Sequence, residues 1–248
     1  MARYFIHLAY DGTNYKGWQI QPNGNTVQAE LSKALSTILR IEISIVGAGR
    51  TDTGVHARNF YAHFEIDCNY DVNELTQLVY KINRFLPTDI SIYRIFKVAD
   101  DLHARFSALT RTYKYYISLN RDPFVRDYAW YRFGELDVNA MNEAADLLLK
   151  VIDFTSFSKL HSQTKTNNCK VSCAKWEVTS SGLVFTITAD RFLRNMVRAV
   201  VGTLIEVGLH KVTLPEFVHI IDSKDRGSAG ESVPACALFL ENIKYPNS

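Results

Sequence analysis

The sequence predicts an α+β fold of two ferredoxin-like halves with mainly antiparallel sheets, helices on one face and a central cleft on the other. Three observations support this fold class. Strand and helix patterns follow one another in the order β-α-β-β-α-β over the first hundred residues. Similar elements recur after residue 100, and no low-complexity linker separates the two sets. We therefore expect an N-terminal half at 1–100 and a C-terminal half at 101–248.

The first half begins with residues 3–10, which alternate between apolar and polar side chains as a half-buried strand does. Asn25 and Gln28 then resemble a capping box. The helix that follows places four apolar residues on one side: Val27, Leu31, Leu35 and Ile38. The remaining predicted elements are strands at 41–46 and 59–66, a helix at 72–85 and a strand at 90–98.

The second half repeats these patterns. Its predicted elements are strands at 108–119 and 128–133, a helix at 138–151, a hairpin of strands 170–179 and 183–189, an apolar helix at 192–207, a short helix at 214–221 and a closing strand at 237–245. The polar stretch 159–170, rich in Ser, Thr and Asn, is predicted to be a mobile loop. The boundary between the halves near Asp100 has no linker composition.

Composition favours an ordinary folded protein. The chain has 248 residues, of which 47% are hydrophobic and 22% charged, and its net charge of +2 does not by itself indicate a polyanionic partner. Four cysteines lack a second Cys or His pair at zinc spacing, so reduced thiols are expected. No signal peptide or membrane-spanning run is apparent, which predicts a cytoplasmic protein.

The stretch GAGRTDTGVHA at 47–57 is the main candidate for chemistry, because it places Asp52 between Arg50 and His56 among three glycines. A carboxylate can act as a nucleophile, a general base or a metal ligand, but this loop offers no second acidic ligand. The guanidinium of Arg50 would keep Asp52 ionised, and the glycines would let the backbone approach a ligand. The alternative is a glycine-rich connection in which Asp52 caps a turn. His56 could act as a base, but a histidine that closes a loop is more often a hydrogen-bonded structural residue, and we expect that role.

Basic and aromatic residues are interleaved between Arg105 and Arg132, a pattern typical of sheets that bind nucleic acid. A solvated charged face over an aromatic core explains the same pattern. In the apolar helix at 192–207, Arg191, Arg194 and Arg198 would form one stripe. A cation near the start of a buried helix needs a partner, either a carboxylate such as Asp52 or Asp190 or a bound phosphate.

Seven motifs, in order, resemble the TruA family of tRNA pseudouridine synthases over essentially the whole chain. They are YDGTNYKGWQ, GRTDTGVHA, RTYKYYI, the DPF at 122–124, DFTSF at 153–157, FLRNMVRAVVGTL and PACALFLENIKYP. One departure is Ile152, where many members have a histidine. The resemblance implies isomerisation of uridine in the anticodon stem-loop of tRNA at positions 38–40, without cofactor or metal, by a cytoplasmic homodimer with tRNA in the central cleft.

The resemblance also implies roles for individual residues. Asp52 is the catalytic carboxylate, either a nucleophile toward ribose C1′ or a base, and Arg198 is its ion-pair partner. Arg50 enters the RNA helix in place of the flipped nucleotide. Tyr113 stacks on the target uracil and is a candidate for taking the C5 proton, and Leu238 forms the apolar wall of the pocket. Further RNA contacts are expected at Arg58, Arg111, Lys114 and Arg194.

Two other functions remain open on the sequence. An RNA-binding module or tRNA chaperone could keep the fold without catalysis, although Asp52, Arg50, Tyr113 and Arg198 are all present. Another enzyme acting on uridine carbon, such as a methyltransferase, would need a cysteine nucleophile and a cofactor loop, and neither is apparent.

Overall fold

The computed structural model describes residues 1–159 and 166–246. These residues form two compact units, the first containing residues 1–109 and the chain from Leu240 onward, and the second containing residues 110–239. Both units combine helices with mainly antiparallel strand pairs, which confirms the predicted fold class. Part of the predicted mobile loop at 159–170, residues 160–165, lies outside the described residues.

The first unit contains four strands and two helices from the N-terminal part of the chain. They are β1 (Ala2–Tyr10), α1 (Val27–Leu39), β2 (Val46–Gly47), β3 (His56–Ile66), α2 (Val72–Phe85) and β4 (Ile90–Val98). The sheet runs in the order β4-β1-β3, and β2 also pairs with β3. Alternate residues of β1 are buried, including Tyr4, Ile6 and Leu8, and the inward residues of α1 are buried with them.

Two local predictions for the first unit are wrong. Helix α1 is capped by Thr26, whose hydroxyl accepts the N–H of Ala29, so the cap lies one residue after Asn25 and the predicted box of Asn25 with Gln28 is not formed. The amide side chain of Gln28 instead bonds Ile20 N and Ile45 O. The predicted strand at 41–46 pairs only at its end, because the N–H of Ile43 donates to Ser36 Oγ at 2.9 Å rather than to a strand.

The second unit contains the remaining elements. They are β5 (Thr110–Ser118), β6 (Trp130–Tyr131), α3 (Val138–Leu147), β7 (Val171–Thr179), β8 (Gly182–Ala189), α4 (Met196–Gly208) and α5 (Leu214–Ser223). Strand β8 pairs antiparallel with both β5 and β7, and β6 pairs parallel with β5. The last strand, β9 (Leu238–Lys244), continues into the first unit, where it lies next to β3.

The apolar helix begins four residues later than predicted. Asn195, the residue before α4, has a left-handed backbone with φ of 65°, a conformation that asparagine tolerates better than most residues. Arg191 and Arg194 therefore precede the helix, and the predicted stripe of three arginines on it is wrong. Arg198 remains in its first turn, and nearly every other residue of α4 is buried, as the apolar pattern predicts.

A buried histidine in the first unit predicts acid sensitivity of folding. His63 is 4% exposed, and its Nδ1 accepts the N–H of Ala104 at 3.2 Å, beside His103, Arg3 and Glu65. Burial lowers the pKa of His63 from its ordinary 6.5 to about 4. The unfolded chain therefore binds this proton first as the pH falls. Stability from neutral His63 is complete well above pH 6.5 and declines by about 2.5 kcal/mol by pH 4.5.

The matched measurement is urea unfolding at pH 7 and pH 4.5 for the wild type and for His63→Asn, whose amide oxygen can accept the same N–H without titrating. The variant should lose less stability on acidification. Equal losses in the two proteins would show that His63 does not contribute to the acid dependence.

Candidate active site

The loop that carries Asp52 lies between β2 and β3 and forms a tight turn at its centre. Asp52 O accepts the N–H of Val55 at 3.1 Å, and Gly54 within this turn has φ of 76°. A positive φ at the third position of such a turn favours glycine. A turn is therefore present here, with the half-exposed Asp52 at its first position and the exposed Arg50 two residues before it.

Gly47 and Gly49 differ in what surrounds them. A Cβ at Gly47 would overlap the indole ring of Trp18, so this glycine is required by packing within the unit. A Cβ at Gly49 would meet nothing within 4 Å. The sequence predicts close approach to a ligand at both positions, but for Gly47 the close neighbour is the protein's own Trp18.

His56 is a structural residue, as predicted. It is 1% exposed, and the backbone N–H of Gly12 donates to its Nδ1 at 3.0 Å. Asp11 Oδ1 also lies 3.0 Å from Nδ1. The same carboxylate oxygen accepts from the backbone N–H and the hydroxyl of Thr13.

In the second unit, Arg198 is held against the segment that leads to β9. Its Nε donates to Val233 O at 2.7 Å, and the N–H of Val233 donates back to Arg198 O. The hydroxyl of Tyr115 on β5 donates to Pro234 O at 3.0 Å. Burial raises the pKa of Tyr115 above its ordinary value, and the positive charge of Arg198 acts in the opposite direction.

Tyr113 lies on the same face of β5 as Tyr115, since side chains alternate along a strand. Its ring meets the ring of Phe192 edge to face, with centroids 5.0 Å apart. Leu238 follows the short turn at 235–237 and is 5% exposed. The second unit therefore brings Tyr113, Arg198 and the segment before Leu238 to one region around Tyr115.

The four predicted RNA-contacting cations are spread over both units. Arg58 of the first unit is exposed and pairs with Glu241 at 3.7 Å. In the second unit, Arg111 donates to Asp190 O at 2.8 Å, and Arg194 O accepts the N–H of Lys159. Arg111 lies on the same face of β5 as Tyr113, two positions away. Lys114 lies on the opposite face, because it is three positions from Arg111 and side chains alternate along a strand.

Sequence reasoning missed several residues that hold these groups. The sequence predicts Phe192, which contacts Tyr113, only as part of the apolar helix at 192–207. It predicts no role for the segment at 232–234 that bonds Arg198. Tyr10 and Trp18, which contact the Asp52 loop, sit within the YDGTNYKGWQ motif. The signal that could have indicated their contact with the Asp52 loop is their position in a polar, glycine-rich stretch.

A model of the tRNA pseudouridine synthase family matches residues 6–107 and 144–246, which together make up most of the chain. The chain belongs to the tRNA pseudouridine synthase family. The match in two segments agrees with two ferredoxin-like halves. This membership confirms the resemblance of the motifs and the enzymatic interpretation, and it disfavours a binding module without catalysis.

Curated members of the family resemble the chain along its whole length. The tRNA pseudouridine synthase A of Bacteroides thetaiotaomicron is 56% identical over 99% of this chain and 91% of that protein. The corresponding protein of Parabacteroides distasonis is 53% identical over 99% and 97%. The tRNA pseudouridine synthase A 1 of Protochlamydia amoebophila is 39% identical over 100% and 98%.

Among residues 1–159 and 166–246, no group of three or more His, Cys, Asp or Glu side chains is arranged to hold a metal ion. Within the same residues, none of the helices has the length and apolar character needed to cross a membrane.

Proposed function

We propose that this enzyme converts uridine to pseudouridine in the anticodon stem-loop of tRNA, at positions 38–40, with Asp52 as the nucleophile and without a cofactor. The observation that carries the proposal is similarity to tRNA pseudouridine synthases over the whole chain, together with an aspartate held on a tight, tethered turn. The stem-loop positions follow the TruA resemblance of the motifs.

The proposed reaction exchanges one bond to the ribose for another. A carboxylate oxygen of Asp52 attacks C1′ as the bond from C1′ to uracil N1 breaks, and the electron pair stays on the uracil. The uracil rotates, C5 bonds to C1′ and the carboxylate leaves. The C5 proton is then lost and N1 takes up a proton, so substrate and product are isomers. In the alternative scheme Asp52 acts as a base rather than as a nucleophile.

The other site residues would prepare and enclose the reacting nucleoside. A base within a stem must leave the stack before its C1′ can be reached, and Arg50 would fill the space it vacates. By the resemblance, Tyr113 would stack on the flipped uracil and is a candidate for taking the C5 proton. Leu238 would form an apolar wall, and Arg198 would pair with Asp52. The half-buried Tyr113 and the buried Leu238 suit a closed pocket.

The partners follow from the same proposal. A homodimer would present tRNA across both subunits, and a cytoplasmic location would give access to tRNA. Arg58, Arg111, Lys114 and Arg194 would contact phosphates, which carry little sequence information and so suit an enzyme that acts on several tRNAs.

Salt dependence tests the phosphate contacts. If four cations neutralise phosphates, the logarithm of the affinity for tRNA should fall linearly with the logarithm of the salt concentration, with a slope of about −3.6. Arg111→Ala should make this slope shallower by about 1, because one contact is lost. The measurement is a filter-binding titration between 50 and 300 mM salt, roughly the range in which such slopes are resolved.

The matched control is Lys33→Ala, which removes an exposed cation from α1. Its slope should equal that of the wild type. A flat salt response of the wild type, or equal slopes for Arg111→Ala and Lys33→Ala, would contradict the proposed contact.

The substrate is tested by mapping pseudouridine in tRNA from cells that lack this protein. The proposal expects uridine in place of pseudouridine at positions 38–40, restored by the wild-type gene but not by an Asp52→Asn copy. Loss of pseudouridine elsewhere in tRNA, with these positions unchanged, would refute the assigned substrate site.

A further inference from the structure

Segment 10–18 lies against the loop that carries Asp52 and bonds its backbone on both sides of that residue. The N–H of Trp18 donates to Thr51 O at 3.2 Å, one residue before Asp52. The N–H of Gly54, two residues after Asp52, donates to Tyr15 O at 3.4 Å. The loop is therefore tethered to a second segment as well as to its own turn.

Tyr10 adds a side-chain tether to the same place. Its hydroxyl lies 2.9 Å from Thr51 Oγ1, and the two residues are only 4% and 7% exposed. Tyr10 ends β1, and its ring contacts the rings of Trp18 and Phe60 in the core. A hydroxyl held in this way can transmit the rigidity of the sheet to the residue beside Asp52.

The fit between the two segments leaves little space. Gly17 has φ of 85°, and a Cβ at this position would overlap Thr51 O and lie 3.2 Å from the carbonyl carbon of Asp52. The hydroxyl of Tyr15 donates to Asp89 at the start of β4, which secures the segment from its other side. The backbone of Asp52 is thus packed against a segment that is itself anchored in the fold.

We propose that Tyr10 and Thr51 form a positioning pair that sets the direction of the Asp52 carboxylate. Neither hydroxyl is assigned a contact with uridine. The pair acts by holding the backbone next to Asp52, so that the carboxylate meets C1′ in line with the bond that breaks. Misplacement of a reacting group by about 1 Å can cost about 100-fold in rate. This inference rests on the proposed function of Asp52.

The test compares variants that keep or remove one hydroxyl. Thr51→Val keeps the shape of the side chain and removes its hydroxyl, and Thr51→Ser keeps the hydroxyl. In single-turnover release of tritium from 5-tritiated uridine in tRNA, Thr51→Val and Tyr10→Phe should each be slower by about 10- to 100-fold. Thr51→Ser should stay close to the wild type. The dissociation constant for tRNA should change less than about twofold, because no RNA contact is removed.

A double-mutant cycle separates positioning from general weakening of the fold. Tyr10→Phe with Thr51→Val should be no slower than either single variant, since the same interaction is already lost. The control Thr76→Val removes a hydroxyl that donates to Val72 O within α2. Its thermal stability should be comparable to that of Thr51→Val and Tyr10→Phe, and its rate should equal that of the wild type. Should Thr51→Val not fold, Tyr10→Phe carries the same comparison.

The outcomes distinguish this inference from the proposed function. A wild-type rate in both Thr51→Val and Tyr10→Phe, or fully additive losses in the double variant, would overturn the positioning pair while leaving Asp52 as the reacting group. Turnover by Asp52→Asn at the wild-type rate would instead overturn the proposed function.

Discussion

Replacing Asp52 by asparagine is expected to abolish tritium release from tRNA that contains 5-tritiated uridine. The amide keeps the size of the side chain but is a poor nucleophile and a poor base, so both schemes for Asp52 predict a loss on the order of 10⁴-fold or more. Binding of tRNA should remain nearly intact, because the proposed phosphate contacts lie elsewhere. Single-turnover kinetics and a binding titration on the same preparation measure the two quantities.

Asp67→Asn is the matched control, since it makes the same change at an exposed residue of the first unit just beyond β3. It should release tritium at the wild-type rate. Activity of Asp52→Asn comparable to that of Asp67→Asn would end the assignment of Asp52 as the reacting carboxylate.

Replacing Arg198 by alanine is expected to give the second-largest effect, a loss of turnover of about 100-fold. The proposed role of Arg198 is to pair with Asp52 and hold its carboxylate in place. The Arg198 side chain also donates to Val233 O, so its removal loosens the segment before β9. The measurement must therefore separate loss of the cation from loss of that tether.

Arg226→Ala provides this separation. Arg226 also donates to the segment, to Ala229 O at 3.2 Å and Ser232 Oγ at 2.9 Å, and it has no proposed role in chemistry. Turnover should fall in Arg198→Ala and not in Arg226→Ala. Equal losses in the two variants would show that Arg198 acts through the segment, and full activity of Arg198→Ala at neutral pH would show that the proposed pairing is wrong.

Helices and strands whose apolar residues recur at a regular spacing could be predicted from the sequence. Helix α2 has the predicted bounds of 72–85, and its capping box of Asp71 and Glu74 is complete. Strand β4 also has its predicted bounds of 90–98. In both cases the local propensity, the amphipathic pattern and the signals at the ends favour the same element. The tertiary structure therefore leaves its bounds unchanged.

Elements whose ends depend on distant partners could not be predicted. The start of α4 is set by the left-handed Asn195, whose side chain bonds Ser232, and no local signal distinguishes this from a helix that continues back to Phe192. Residues 41–46 read as a strand, yet the hydroxyl of Ser36 takes a backbone donor there. Whether a backbone N–H bonds to a nearby side chain or to a neighbouring strand is decided by tertiary contacts.

The candidate site also has a part that could be predicted from the sequence and a part that could not. The motifs around Asp52, Tyr113 and Arg198 are local and were readable, and membership of the family agrees with them. The tethers of the Asp52 loop come from Tyr10 and Trp18, more than thirty residues away in the sequence, and depend on packing that no period reveals. This is why the sequence indicated the proposed reacting group but not the residues that hold it.

The central claim, that this enzyme uses Asp52 to isomerise uridine at positions 38–40 of tRNA, is tested most directly with purified protein and unmodified tRNA transcripts. Transcripts that carry uridine at only one of these three positions are incubated with the wild type or with Asp52→Asn, and pseudouridine is mapped at every position. The account predicts pseudouridine at the retained position with the wild type and none with the variant. Pseudouridine that forms only elsewhere in the tRNA, or that forms equally with Asp52→Asn, would contradict it.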